Sequence, residues 1–110
     1  MIFETQKISH QQVAKNTYEV TFMRPKGFVF TVGQYTQVAI GELSHPDPKG
    51  RSRQFSIATS PLLQDEISVV FRDTGSGFKL TLLESPVGSP ITLEQAAGSF
   101  GLPLTPTKPL

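Results

Sequence analysis

Arg53, Gln54, Phe55 and Ser56 sit together in the stretch Arg51-Ser52-Arg53-Gln54-Phe55-Ser56-Ile57. They bring a fixed cation, a flat ring and a small hydroxyl into one short run. Successive side chains of an extended segment point to opposite faces, so Arg53 and Phe55 share one face while Gln54 and Ser56 share the other. A guanidinium forks onto phosphate oxygens, an aromatic ring lies on a planar heterocycle, and a hydroxyl donates to a ring nitrogen. These groups suit a ligand with a phosphate at one end and a flat aromatic system at the other, which describes a flavin nucleotide. The same residues also suit an ordinary half-buried strand with one aromatic turned inward and an arginine at its rim.

A second chemical signal lies further along, at Gly75-Ser76-Gly77. Glycine lets a backbone approach a ligand closely, and the first turn of a helix presents unpaired N–H groups to an anion. Most such turns only cap helices. This one follows Arg53 with a single strand between, so a diphosphate would fit between the guanidinium and the amides near Ser76, Gly77 and Phe78. Other constellations are weaker. His10 and His45 are far apart, with Asp47 beside the latter, and no HExxH-like spacing occurs, so no metal ligand is assigned. Asp65-Glu66 and Asp73 read as turn and strand-end residues rather than an acid/base pair.

The elements that must hold these groups read mostly as short strands. Residues 17–24 alternate, with Tyr18, Val20 and Phe22 on one face, before Pro25 ends the run. Residues 2–9 are expected to pair with them. Phe28 and Phe30 supply core aromatics, and a third strand covers 35–40. The breaker-rich 42–50 segment reads as a surface loop. A fourth strand over 52–58 carries Arg53, and a fifth over 66–72 turns Ile67, Val69 and Phe71 to one face. A helix is expected over 78–84 with Ser76 as its N-cap and Ser85-Pro86 as its stop. A sixth strand follows over 91–95. Six short strands and one helix predict an all-β fold: a six-stranded antiparallel Greek-key barrel, closed so that no edge is exposed, with the helix capping one end. The barrel is assigned to residues 1–101. Residues 102–110, where Pro103, Pro106 and Pro109 recur, read as a linker or tail.

Composition sets limits on function. At 110 residues the chain is one domain able to bury roughly two-thirds of its unfolded surface. It has no cysteine, which removes disulfides, thiolate catalysis and Cys-based metal ligation, and is compatible with the cytoplasm. Ten basic and nine acidic residues give a net charge of +1, which does not predict a nucleic-acid binder. Apolar runs such as Val69-Val70-Phe71 fall far short of the ~20 residues a membrane span needs. The N-terminus lacks the apolar core of a secretory signal.

Taken in order, the motifs resemble the flavin-binding barrel of the ferredoxin–NADP(H) reductase family. Gly33-Gln34-Tyr35 matches a GQ-aromatic segment, and Arg53-Gln54-Phe55-Ser56 matches an R-x-(Y/F)-S motif. Val70-Phe71-Arg72 matches a V-x-R strand end, and Gly75-Ser76-Gly77-Phe78-Lys79-Leu80-Thr81-Leu82 a G-S-G-F-K-x-x-L segment. Val87-Gly88-Ser89-Pro90-Ile91 matches the closing turn, and residues 95–100 partly match a G-P-x-G-x-F element. The resemblance implies that Arg53 binds the flavin diphosphate, Phe55 stacks on the isoalloxazine, and Ser56 hydrogen-bonds near the ring nitrogen that takes the hydride, as the catalytic residue. It also implies that Gln54, Val70, Phe71 and Arg72 flank the cofactor. Ser76, Gly77 and Phe78 would offer amides to phosphate, with Lys79 as helper. Two departures stand out: Phe55 replaces the commoner tyrosine and loses its phenolic hydrogen bond, and Gln95-Ala96-Ala97-Gly98 replaces G-P-x-G.

By the same resemblance the cofactor is FAD, with FMN the less favoured choice. A complete enzyme would add an NAD(P)-binding domain, expected to start about where this sequence stops at Leu110. NAD(P)H would then reduce the flavin, and electrons would pass to ferredoxin, flavodoxin or another iron–sulfur or haem partner. The chain is thus expected to be the flavin half of an oxidoreductase. The competing reading is a non-catalytic OB-like barrel, a binding or regulatory module in which Lys49, Arg51 and Arg53 form a basic patch.

Overall fold

The computed structural model describes residues 2–98. Met1, Phe100 and the Pro-rich 102–110 segment lie outside the described residues. Six antiparallel strands form one sheet: β1 (Ile2–Ala14), β2 (Thr17–Met23), β3 (Tyr35–Ile40), β4 (Ser52–Ser56), β5 (Glu66–Arg72) and β6 (Pro90–Glu94). One helix, α1 (Gly77–Glu84), lies between β5 and β6. The spatial order is β4-β3-β6-β1-β2-β5. The expected all-β architecture with one helix is therefore present. No helix among the described residues is long and apolar enough to cross a membrane.

Alternation accounts for most of it. Val20 and Phe22 of β2, Val38 of β3, Ile67 and Val69 of β5 and Leu93 of β6 point inward and are fully buried. Phe28 and Phe30 close the base of this core, joined by Phe3, whose ring meets Phe28 edge-on with centroids 5.2 Å apart. Each such side chain contributes ~1.5–3 kcal/mol on burial.

β1 departs from expectation. Its first residues pair with β6, from Ile2 opposite Glu94 to Gln6 opposite Pro90, and only from Lys7 onward does it pair with β2. The second half, Ser9 to Ala14, is exposed and polar up to Val13, so it shows no apolar alternation and is held by backbone bonds to β2. A tight turn closes this hairpin through Lys15 and Asn16, and Asn16 takes φ +55°, a left-handed conformation asparagine tolerates.

The barrel is not closed, in contrast to expectation. Its terminal strands β4 and β5 meet through a single bridge, Ile57 opposite Val69, with the Ala58 N–H donating to the Ser68 carbonyl at 2.8 Å. Beyond that point, towards Arg53 and Arg72, no ladder joins them. The interior at this end is filled by the rings of Phe55, Phe71 and Phe78, with Phe55 centroids 5.0 Å from Phe71 and 6.0 Å from Phe78. The strands splay around that aromatic bulk and leave a seam.

Helix α1 covers the end of the barrel beside the seam. Ser76 caps it as expected, its Oγ accepting from the Lys79 N–H at 3.3 Å. Phe78 and Leu82 bury themselves in the core. The far end of α1 is held by Lys7, which is 1% exposed. Its ammonium donates to the carbonyls of Leu82, Leu83 and Ser85 at 3.0, 3.1 and 2.6 Å. These are carbonyls that a helix leaves unpaired at its C-terminus, where a cation is favoured. Burial pushes the Lys7 pKa down.

Candidate functional site

Arg53 leaves β4 on the inward face at the open end and points at the start of α1. Its Nη2 donates to Asp47 Oδ2 at 2.6 Å, and the Phe78 N–H donates to the same oxygen at 2.9 Å. The Lys49 N–H donates to Asp47 Oδ1 at 2.8 Å. The Asp47 side chain is only 2% exposed. Its carboxyl is held down at about 2 by the amide of Phe78 first, then that of Lys49, with Arg53 adding to both against the cost of burial. An arginine and a helix-start amide thus converge on one anionic oxygen. The anion is the protein's own.

Asp47 belongs to the 42–50 loop, which the sequence marks only as surface. The structure lays this loop along α1. The His45 N–H donates to Thr81 Oγ1 at 3.1 Å, and His45 Nε2 meets Glu84 Oε1 at 2.8 Å. Asp47 stands between Pro46 and Pro48, and each proline both fixes its own φ and biases the preceding residue to an extended shape. The Asp47 carbonyl accepts from the Gly50 N–H at 3.0 Å, closing a turn with Pro48 in its second position. The loop is therefore stiff where it presents the carboxylate. A carboxylate flanked by two prolines was the signal available in the sequence.

Gly77 is tightly covered by the 42–50 loop. A Cβ there would collide with the carbonyl oxygens of His45 and Pro46, so the close approach that glycine permits is made by the 42–50 loop. The Phe78 amide is engaged by Asp47 as described. The amides of Ser76 and Gly77 have no hydrogen-bond partner among the described residues. Lys79 folds back, its Nζ donating to the Arg72 carbonyl at 2.8 Å and lying 5.6 Å from the Phe71 centroid. Burial, then the nearby Arg53 charge, lowers its pKa.

The remaining residues divide by face. Phe55 and Phe71 are buried against each other and Phe78, so their rings belong to the core. Gln54 and Ser56 of β4 and Val70 and Arg72 of β5 are exposed on the outer face. The isolated bridge between Ile57 and Val69 makes the two strand ends neighbours, with Ser56 and Val70 next to the bridged residues in sequence. The expected site residues are thus gathered around the seam, but on two sides of the sheet.

The rim at residues 95–98 is tied to the start of β3. The Tyr35 and Ala97 backbones exchange hydrogen bonds at 3.0 and 2.9 Å, and Gln34 Nε2 donates to the Gly98 carbonyl at 3.1 Å. Gly98 has φ +99°, and a Cβ there would strike the Tyr35 ring. The Gln34 carbonyl accepts from the Ile57 N–H at 3.0 Å, which fastens the end of β4 next to Ser56.

The internal carboxylate shows that the geometry holds a negative oxygen, and Arg53 Nε is buried without an acceptor among the described residues. The basic patch of the competing reading is not assembled. Arg51 donates to the Gly41 carbonyl at 2.8 Å and Arg53 is turned onto Asp47. Among the described residues no group of three or more His, Asp or Glu side chains is placed to hold a metal.

No protein-family model matches the chain, and no curated protein matches it in sequence. Solved structures do match in fold. Phthalate dioxygenase reductase, described as a modular structure for electron transfer from pyridine nucleotides to an iron–sulfur centre, aligns with TM-score 0.72 at 14% identity. The match covers 94% of this chain and 32% of that one. A ferredoxin-NADP+ reductase from Neisseria gonorrhoeae with bound FAD and NADP aligns with TM-score 0.67 at 20% identity, over 89% and 39% of the two chains. A siderophore-interacting protein from Acinetobacter baumannii gives 0.68 at 18%, over 98% and 45%. The chain has the barrel fold found in ferredoxin-NADP+ reductase-type proteins and spans less than half the length of each of these three.

Proposed function

We propose that the chain is the flavin-nucleotide-binding barrel of an electron-transfer reductase, with FAD as the nucleotide. The observation that carries this reading is the grip of Arg53 Nη2 and the Phe78 N–H on a single carboxylate oxygen. A diphosphate oxygen asks for the same donors, and a guanidinium beside a helix start supplies them. The fold shared with a reductase whose structure holds FAD and NADP supports the same assignment.

In this reading Arg53 binds the diphosphate, aided by the Ser76, Gly77 and Phe78 amides, and Lys79 adds positive potential from its place on Arg72. Ser56 and Gln54 offer polar groups to the ring system from the outer face, with Val70 and Arg72 across the seam. Ser56 is assigned the hydrogen bond to the reactive ring nitrogen. Phe55 and Phe71 brace the seam from within, and stacking by Phe55 requires its ring to turn partly out of the aromatic cluster. Bound flavin would supply the redox chemistry, taking a hydride from NAD(P)H and releasing electrons to an iron–sulfur, flavodoxin or haem acceptor. The nicotinamide site and the acceptor lie with further domains or partners.

Titration of the protein with FAD and with FMN, followed by flavin fluorescence quenching, tests the proposal. Arg53→Ala is expected to weaken FAD binding about tenfold or more, as befits a charge-assisted contact. A protein that quenches neither flavin overturns the reading, and unchanged affinity in Arg53→Ala removes that residue from the site.

A further inference from the structure

We infer that Asp47 is a specificity-determining residue of the nucleotide site, an internal anion that occupies the phosphate position and must be displaced by any phosphate-bearing ligand. The inference rests on the flavin reading for the identity of the ligand, though not for the exchange itself. Asp47 Oδ2 takes both donors that converge at the helix start, Arg53 Nη2 and the Phe78 N–H. The backbone of His45 and Pro46 lies over Gly77 closely enough that no Cβ could stand there. A second anion cannot share these donors without meeting the first carboxylate, whose side chain is covered by its partners. Arg53 Nε, buried and unpartnered among the described residues, is left over, as are the Ser76 and Gly77 amides. A carboxylate has fewer oxygens than a diphosphate, so a larger anion can use the donors that Asp47 does not.

The loop is built for exchange. Its remaining anchors are side-chain and turn contacts: the His45 N–H and the Ser44 hydroxyl on Thr81 Oγ1, the contact of His45 with Glu84, an internal turn at Gly50, and Leu43 packed against the core. No strand of the sheet runs through it, so the sheet keeps its ladders when the loop lifts. Two consequences follow. The affinity for a phosphate-bearing ligand is reduced by the fraction of molecules with the loop in place. A flavin without phosphate gains nothing from Arg53 and pays no such penalty, so Asp47 narrows the preference of the site for nucleotides over riboflavin.

The test uses inorganic pyrophosphate, FAD and riboflavin against the wild-type chain and Asp47→Asn, which keeps the side-chain shape and removes the charge. Amide NMR of the wild type with pyrophosphate should shift Phe78, Lys49 and His45 together as the loop leaves. Calorimetry should show Asp47→Asn binding pyrophosphate and FAD at least about fivefold more tightly, with riboflavin affinity unchanged. Asp47→Ser serves if the asparagine variant folds poorly, and the wild-type NMR result stands without either variant. Pyrophosphate that shifts Phe78 while leaving Lys49 and His45 in place overturns the inference, as does FAD affinity unchanged or weakened in a folded Asp47 variant. If pyrophosphate lifts the loop but no flavin binds, the exchange is upheld and the flavin reading fails. If FAD binds the wild type and Asp47→Asn equally, the flavin reading is upheld and the exchange fails.

Discussion

The two ends of helix α1 are each closed by a charged side chain from elsewhere in the chain, and the two closures are built for opposite purposes. At the C-terminal end Lys7 gives three hydrogen bonds to main-chain carbonyls. It does so from the middle of β1, where its own N–H donates to Ser89 at 3.0 Å and its carbonyl accepts from Gly88 at 2.8 Å. Moving Lys7 means opening the sheet. At the N-terminal end Asp47 accepts three hydrogen bonds, from Arg53, Phe78 and Lys49, but it does so from a loop lying outside the sheet. Moving Asp47 means lifting the loop. The same electrostatic logic, opposite charge at each pole of a helix, yields a fixed joint at one end and an exchangeable contact at the other.

The largest effect that would sharpen this contrast is expected at the fixed joint. Lys7→Met keeps much of the volume and strands the carbonyls of Leu82, Leu83 and Ser85, the first buried and the other two part-buried. Leaving a buried acceptor unpaired costs about 1–3 kcal/mol, and water can reach the other two in part, so a loss of about 2 kcal/mol or more in urea unfolding is expected. A loss below ~1 kcal/mol would mean that the helix end does not depend on the cation, and the comparison between its poles would break.

A smaller effect is expected from Gly77→Ala. The new methyl collides with the His45 and Pro46 carbonyls, so the 42–50 loop must shift off the helix. Alanine favours a helix over glycine by up to ~1 kcal/mol, which offsets part of the lost loop contacts. Global stability should then change by less than ~1.5 kcal/mol, while hydrogen exchange at the Phe78 and Lys49 amides accelerates. An Asp47 still seated on the Phe78 amide in this variant would show that the contact is as rigid as the one at Lys7.

These contrasts also explain what the sequence revealed and what it concealed. β3 and β5 have the boundaries expected from alternation, Tyr35–Ile40 and Glu66–Arg72, because one face of each is core. The α1 start was readable from Ser76 because capping is a local bond. The second half of β1 was not readable, since backbone pairing carries no side-chain pattern. The open seam was hidden because it depends on how three rings from separate elements fill one end of the barrel. Arg53 was legible as an anion ligand from its neighbours. Its partner Asp47 was not, because the loop fold that brings it to Phe78 is a long-range event. Lys7 left a faint trace: it follows Phe3 and Thr5 on the inward parity of β1, where a lysine needs acceptors.

The smallest expected effect is the response of the exchangeable end to acid, and it separates the poles without mutation. The Asp47 pKa is about 2 in the folded chain against an ordinary 3.8, lowered by the Phe78 amide, then the Lys49 amide and Arg53. A carboxyl whose folded pKa lies below its unfolded value contributes its full share of stability above the unfolded pKa. That share is lost as pH falls through the folded one. The contact's contribution to stability should therefore be full above about pH 4 and decline from there, with the contact itself half released only near pH 2. Carboxyl-carbon NMR should place the Asp47 midpoint near 2, with the Phe78 amide shifting along the same curve. The Lys7 contacts should stay in place over this range, because the ammonium is already protonated and the carbonyls do not titrate. An Asp47 midpoint near 3.8, or a Phe78 amide that ignores it, would show that the carboxylate is not gripped at the helix start, and the exchangeable pole would lose its basis.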